Sequence, residues 1–177
     1  MNNEQVTGVV DSATQSNQAK AKGAKIKLTK TNGRGSKSRR KSRELVLKAV
    51  YRGMLNQSAL SQVFLDMMED PDYNKGDEAY FKQLLEVVTE NFTAIDARLV
   101  DYIDRSIAEL SPVEHAILRI AGCELMYDLS IPYRVVINEG VELAKVFGGT
   151  DGHKYINGVL DRFAADVRAT EVAQSKR

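Results

Sequence analysis

Few side chains in this sequence are of the types that do covalent chemistry, and their spacing does not bring them together. The run Gly148-Gly149-Thr150-Asp151-Gly152-His153-Lys154 has the glycines and the lysine of a phosphate loop. It lacks the G-x-x-x-x-G-K-[ST] spacing, and no strand pattern precedes it, so a helix stop followed by a helix start accounts for it better. Cys123, the one cysteine, falls in the middle of a strongly apolar stretch, where packing suits it better than nucleophilic work. His115 follows a helix cap and is expected at the surface, while His153 has no acidic or serine partner within local reach. No pair of carboxylates stands out for acid–base work, and the scattered His and Cys residues make no transition-metal set. The sequence therefore reads as that of a non-enzyme with no cofactor and no metal.

Cationic side chains present a clearer pattern. Ser38-Arg39-Arg40-Lys41-Ser42-Arg43 runs directly into the apolar-periodic stretch that begins at Glu44. Residues 1–43 hold eleven Lys/Arg against two acids, whereas residues 44–177 hold fourteen against twenty-two. The overall charge of +1 thus hides a basic end on an acidic body, which points to a polyanion such as nucleic acid. A solvated tail kept for solubility would have the same composition. On a helical wheel Arg40, Arg43, Leu47 and Tyr51 fall within a stripe of about 80° beside the core face. Two guanidiniums and a phenol on one stripe suit phosphates and an unpaired base, with Arg39 and Lys41 flanking them. The same wheel equally fits Tyr51 at the core edge and arginines in surface pairs, for instance with Glu44. A second polar cluster, Lys154, Asn157 and Asp161 with Tyr155 at its boundary, lies opposite Ile156, Val159 and Phe163. It could contact a phosphate and a base edge, but it reads as readily as a solvated helix face.

The elements that must carry these residues are helical. Residues 1–37 are polar, small and basic and are expected to be disordered, because they cannot bury enough apolar surface to offset their ordering entropy. Residues 38–168 predict an all-α bundle of seven helices, near 38–56, 59–69, 77–91, 93–103, 113–129, 133–147 and 152–168. Thr93 with Asp96 is expected to open the fourth helix. Ser111-Pro112-Val113-Glu114 is a capping box with proline at the first turn of the fifth. Asp151 is expected to cap the seventh, and residues 169–177 to form a frayed tail. Glu124, a lone acid among Ile117, Ile120 and Tyr127, is expected to be hydrogen-bonded inside the bundle. No apolar run reaches membrane-spanning length and no secretory leader is evident, so the expected compartment is the cytoplasm.

Several stretches resemble the NusB family of bacterial transcription antitermination factors. They are Ser38–Glu44 with Ala49-Val50-Tyr51, then Val113-Glu114 with Ile117–Ala121 and Glu124-Leu125. They continue through Ile131–Glu139, Val141–Lys145, Phe147-Gly148 and His153–Asp161, covering about residues 38–165 but not the N-terminal segment. The resemblance implies a compact seven-helix bundle of two antiparallel helical subdomains without catalytic activity. It implies binding of boxA-type single-stranded RNA with ribosomal protein NusE, in an RNA polymerase complex with other Nus factors that supports transcription of ribosomal RNA operons. By resemblance Arg39, Arg40, Lys41 and Arg43 contact RNA with Tyr51 nearby. Asp151, Lys154, Tyr155 and Asn157 complete that surface, and Tyr102 and Glu114 face NusE. A homodimer over partner surfaces is also compatible. Two other readings remain. One is the NusB-like module of a ribosomal RNA cytosine methyltransferase, which needs a following α/β domain with a glycine-rich loop and a catalytic cysteine. The other is a helical adaptor with no RNA role.

Overall fold

The computed structural model describes residues 38–175; the expected disorder of residues 1–37 falls outside the described residues. Eight α-helices follow one another: α1 (Arg39–Asn56), α2 (Leu60–Met68), α3 (Glu78–Glu90), α4 (Phe92–Leu99), α5 (Pro112–Tyr127), α6 (Tyr133–Phe147), α7 (Gly152–Val167) and α8 (Ala169–Gln174). Single 3-10 turns at Tyr73–Lys75 and Ile107–Glu109 interrupt two of the links. No strand is present among the described residues, and none of their helices is long and apolar enough to cross a membrane.

α5 is the axis. Its sequence is apolar nearly all round, and ten of its sixteen residues are buried, as a helix enclosed by others requires. α1 and α3 pack on it from one side, with α2 lying against α1 to complete one subdomain; α4, α6 and α7 cover the rest. Fully buried Phe81 and Phe163 anchor the two halves of one continuous core. The capping box at Ser111 forms as the sequence predicts, with Ser111 Oγ accepting from the Glu114 amide at 3.2 Å. Gly148 ends α6 where an added Cβ would stand 2.6 Å from the Ala144 carbonyl, so only glycine fits.

Several expectations are corrected. α4 stops at Leu99, so Ile103 packs on the core from the following loop rather than from a helix. Thr93 and Asp96 do not open α4, which begins at Phe92 with no side-chain cap. Asp96 instead binds across to α5, accepting from Arg119 Nε at 3.0 Å and Nη2 at 2.5 Å. It also lies 2.9 Å from His115 Nε2, so His115 is buried rather than superficial. α5 ends at Tyr127, leaving Leu129 outside it. The residues after Arg168 form α8 instead of a frayed tail. The cause is Arg168 itself, whose buried guanidinium donates to the carbonyls of Leu125 (2.6 Å), Glu124 (3.1 Å) and Asp128 (2.7 Å). They lie at the C-terminal end of α5, where carbonyls run short of helical partners, although Glu124 also accepts from the Asp128 amide at 3.0 Å. Glu171 then holds Arg168 Nη1 at 2.9 Å and accepts from the Tyr133 amide, fastening α8 to α6.

The largest correction concerns Arg43. Instead of lying on an outward stripe it is 4% exposed, and Leu47 beside it is 3% exposed. The α1 stripe is part of the core face because α3 and α5 close over it. Arg43 Nε donates to both carboxylate oxygens of Glu124 at 3.0 Å, and Nη2 lies 2.8 Å from Glu124 Oε1. Tyr80 of α3 donates its hydroxyl to the same carboxylate. Burial pushes Glu124 above the ordinary carboxylate range, and the Arg43 charge and hydrogen bonds pull against it. Glu124 is thus bonded inside the bundle, as the sequence demands of a lone acid there.

Arg43→Ala strands a buried carboxylate and is expected to cost about 3–5 kcal/mol in urea unfolding, against less than about 1 kcal/mol for Arg40→Ala. Equal losses would place Arg43 outside the core. For Asp96, desolvation raises the pKa, but hydrogen bonds from Arg119 and His115 outweigh it and leave the group below its usual value. Its stabilisation is therefore complete above the unfolded pKa of about 4 and lost as pH falls through the depressed folded value. Asp96→Asn is expected to be less stable than wild type at neutral pH, with the gap narrowing in acid. Unfolding curves across pH check this, and a gap independent of pH would refute it.

Candidate nucleic-acid interface

The start of α1 is built by its serines. Ser38 sits at the N-cap, its Oγ accepting from the Lys41 amide at 3.3 Å. Its own amide donates to the Lys75 carbonyl at 3.1 Å, and fully buried Ser42 donates to the Asp77 carbonyl at 2.8 Å. These bonds lay the first turn of α1 against the start of α3 and fix which residues turn outward.

Three cations face solvent there. Arg39 is exposed, with its guanidinium 4.9 Å above the centre of the Tyr80 ring. Arg40 is half exposed and makes a two-pronged bond to Glu139 of α6, at 2.9 and 3.2 Å. That carboxylate raises the already high pKa of Arg40 through hydrogen bonding and charge. Lys41 reaches Glu44 at 2.7 Å and Asp72 at 3.6 Å. Arg43 lies inward, its Nη1 3.7 Å from Glu139 and its guanidinium also over Tyr80 at 5.2 Å. Tyr51, eleven residues beyond Arg40, is half-buried and about 16 Å further along the helix axis. The structure therefore brings Arg39, Arg40 and Lys41 together, withdraws Arg43 and sets Tyr51 apart.

The second cluster surrounds the start of α7. Asp151 occupies the N-cap in a left-handed conformation, φ 59°, but its side chain caps nothing. It pairs with Lys154 Nζ at 2.7 Å, and both side chains are well exposed. Asn157 donates to Asp161 at 2.9 Å on the same outer face. Tyr155 is half-buried beneath the Arg105 guanidinium, 4.7 Å from its ring centre, and burial raises its phenol pKa. α6 separates this cluster from the α1 start, touching α1 through Glu139 and packing along α7.

Tyr102 and Glu114 stand on the α7 side as well. Tyr102 packs edge-on to Phe163 with ring centres 5.3 Å apart and donates to Asp166 at 2.8 Å. Glu114 completes the α5 capping box, and its Oε1 lies 3.3 Å from where a Cβ on Gly152 would stand. The residues assigned by resemblance to a protein partner and those assigned to RNA thus adjoin at the first turn of α7. Sequence reasoning missed Glu139 and Arg105, which orient Arg40 and Tyr155; neither carries a local signal, since each acts on another element.

Burial pushes the Cys123 thiol pKa up, away from the thiolate. Among the described residues no group of three or more His, Cys, Asp or Glu is placed to hold a metal.

The transcription antitermination protein NusB of Methylobacillus flagellatus is 56% identical over 144 residues, covering 81% of this chain and 94% of the relative. That of Thiobacillus denitrificans is 46% identical, with 79% and 97% covered. Among solved structures, T. maritima NusB superposes with a TM-score of 0.68 at 27% identity, covering 77% of this chain and 97% of the other. A crystal structure of the antitermination factors NusB and NusE in complex with dsRNA gives a TM-score of 0.65 at 26% identity, covering 71% and 95%. The NusB family model matches residues 40–165, a span that takes in the arginine-bearing first turn of α1 from Arg40, the α5 axis and the α7 face; the chain belongs to the NusB family.

Proposed function

We propose that this protein is a cytoplasmic, non-enzymatic transcription antitermination factor that holds boxA-type single-stranded RNA together with ribosomal protein NusE. Its expected setting is an RNA polymerase complex with other Nus factors on ribosomal RNA operons. Arg39, Arg40 and Lys41 take phosphates; Asp151, Lys154, Tyr155 and Asn157 extend the surface, and Tyr51 lies along its α1 flank. Arg43 is a positioning residue in this reading, holding the α1 start on α5 and α3 rather than touching RNA. Tyr102 and Glu114 serve the NusE side, and a homodimer over that side would compete with it.

One observation carries the reading. α1 has no acid in its first turn and three solvent-facing cations there, against the positive end of the helix dipole. Such placement disfavours the helix by some tenths of a kcal/mol per charge, and it is tolerated because Glu139, Glu44 and Asp72 lie alongside. A local rule broken at a supported surface site points to a ligand that needs the charge, and phosphate meets that need. Family membership supports the same conclusion, as does the related NusB that crystallised with NusE and RNA.

Single-stranded boxA RNA is expected to bind more tightly than a scrambled strand, with NusE increasing the difference. If Arg39, Arg40, Lys41 and Lys154 each neutralise one phosphate, log K falls against log salt with a slope of about −3. Arg39→Ala with Arg40→Ala should flatten that slope by about 1.4 and leave helicity unchanged. Equal affinity for both strands, with and without NusE, would favour the adaptor reading. Tyr51→Phe should bind as wild type if the ring stacks on a base, whereas Tyr51→Ala should not; equal behaviour removes Tyr51 from the surface.

A further inference from the structure

The acid excess of the folded body is concentrated in one place. Residues 60–90, which form α2, α3 and their link, hold eight Asp/Glu against two Lys. Lys75 and Lys82 are taken up by Asp72 and Glu78, and cations of α1 reach Asp66, Asp70 and Asp72. Glu69, Glu86 and Glu90 have no ion pair among the described residues. Glu86 lines an apolar groove of about 510 Å³ between α2 and α3, together with Leu60, Phe64, Leu65, Leu85 and Lys82, while Glu69 and Glu90 stand at the C-terminal ends of the same two helices. Leu65 is 56% exposed and Met68 49%, so α2 presents a greasy strip to solvent next to unpaired acids.

Such a surface repels RNA and complements a lysine-rich segment with a few aliphatic side chains. The chain carries that segment. Lys20–Lys37 includes seven Lys/Arg and no acid, and its two large apolar residues, Ile26 and Leu28, are interleaved with Lys25, Lys27 and Lys30. The connection is also short enough. Ser38 is held against Gly76 at the head of α3, which is about 20 Å long. The ten residues from Leu28 to Ser38 reach up to roughly 35 Å, beyond the far end of that helix. We infer that the acidic α2–α3 groove is a docking site for the Lys20–Lys37 segment of the same chain, with Ile26 and Leu28 on the apolar strip and the lysines on Glu69, Glu86 and Glu90. Docked there, the lysines are withheld from unspecific nucleic acid, and a polyanion must outbid the carboxylates to release them.

Carbodiimide cross-linking of the full-length protein at low ionic strength, mapped by mass spectrometry, tests this. Lysines 20–37 should join Glu69, Glu86 and Glu90 in preference to equally exposed Glu109 and Asp161. The links should occur within the monomer and disappear in high salt. Leu65→Ser should lower the yield of all these links, and separately Glu86→Gln with Glu90→Gln should lower the yield of the link to the retained Glu69, each by about threefold, the scale of one or two exposed contacts, with the circular dichroism unchanged. All these sites are exposed, so folding is preserved. Links spread evenly over surface acids would overturn the inference, as would yields unaltered in both variants. Links found solely between isotopically distinct copies would reassign the groove to a second chain and equally reject docking within one.

Discussion

The bidentate bond between Arg43 and Glu124 is the constraint on which the surface depends. Neither charge is tolerable in the core alone, and each offsets part of the other's desolvation cost in this geometry. Tyr80 supplies the further donor that the carboxylate needs, so α1, α3 and α5 meet at one polar point inside the core. A pair of this kind adds little net stability over well-packed hydrophobic side chains. What it fixes is orientation: Arg43 can satisfy Glu124 only with α1 at one rotation about its axis.

That rotation decides what solvent sees. With Arg43 and Leu47 inward, Arg39 and Arg40 are turned outward, and Glu139 on α6 stands between Arg40 and the inner guanidinium. The carboxylate is near enough to both arginines to orient the Arg40 guanidinium, yet the bond is exposed and exchangeable. A phosphate arriving there replaces one anion with another at a guanidinium already oriented for two-pronged contact. Separating the charges by sign extends the same logic, with cations at the head of α1 and unpaired acids along α2 and α3. Polyanions and polycations are thereby offered different faces of one small domain.

The sequence revealed most of the scaffold because the signals were local. Ser111-Pro112-Val113-Glu114 and the Gly148-Gly149 stop each mark a boundary through the backbone chemistry of a single turn, and both boundaries stand where the sequence puts them. The family and its fold were legible for a different reason, from ordered blocks of residues. What failed was the contribution of elements distant in sequence. Arg43 looked exposed because the wheel of α1 places it beside the apolar face, and nothing in α1 says that α3 and α5 extend that face. Glu124 was recognised as a buried acid needing a partner, but its partner stood 81 residues away and had been assigned to RNA. His115 and Asp96 misled in the same manner, each locally resembling a cap or surface residue while bonding across helices. Arg168 is the extreme case: its acceptors are backbone carbonyls, which no side-chain pattern announces.

Cooperation between a protein partner and RNA on this fold needs no long-range wire. Glu114 belongs to the cap of α5 and lies against Gly152, the first residue of α7. Gly152 follows Asp151, whose left-handed backbone is costly for a residue with a Cβ and is held by the turn around it. Asp151 in turn pairs with Lys154 on the outer face. A partner that displaced or reoriented Glu114 would change the packing at Gly152 and, through one strained residue, the position of the Lys154 amine. Coupling of binding energies requires that each ligand distinguish two arrangements of some shared element. In the proposed reading the first turn of α7 would be that element, since the residues proposed for both ligands border it and Asp151 holds a left-handed backbone there.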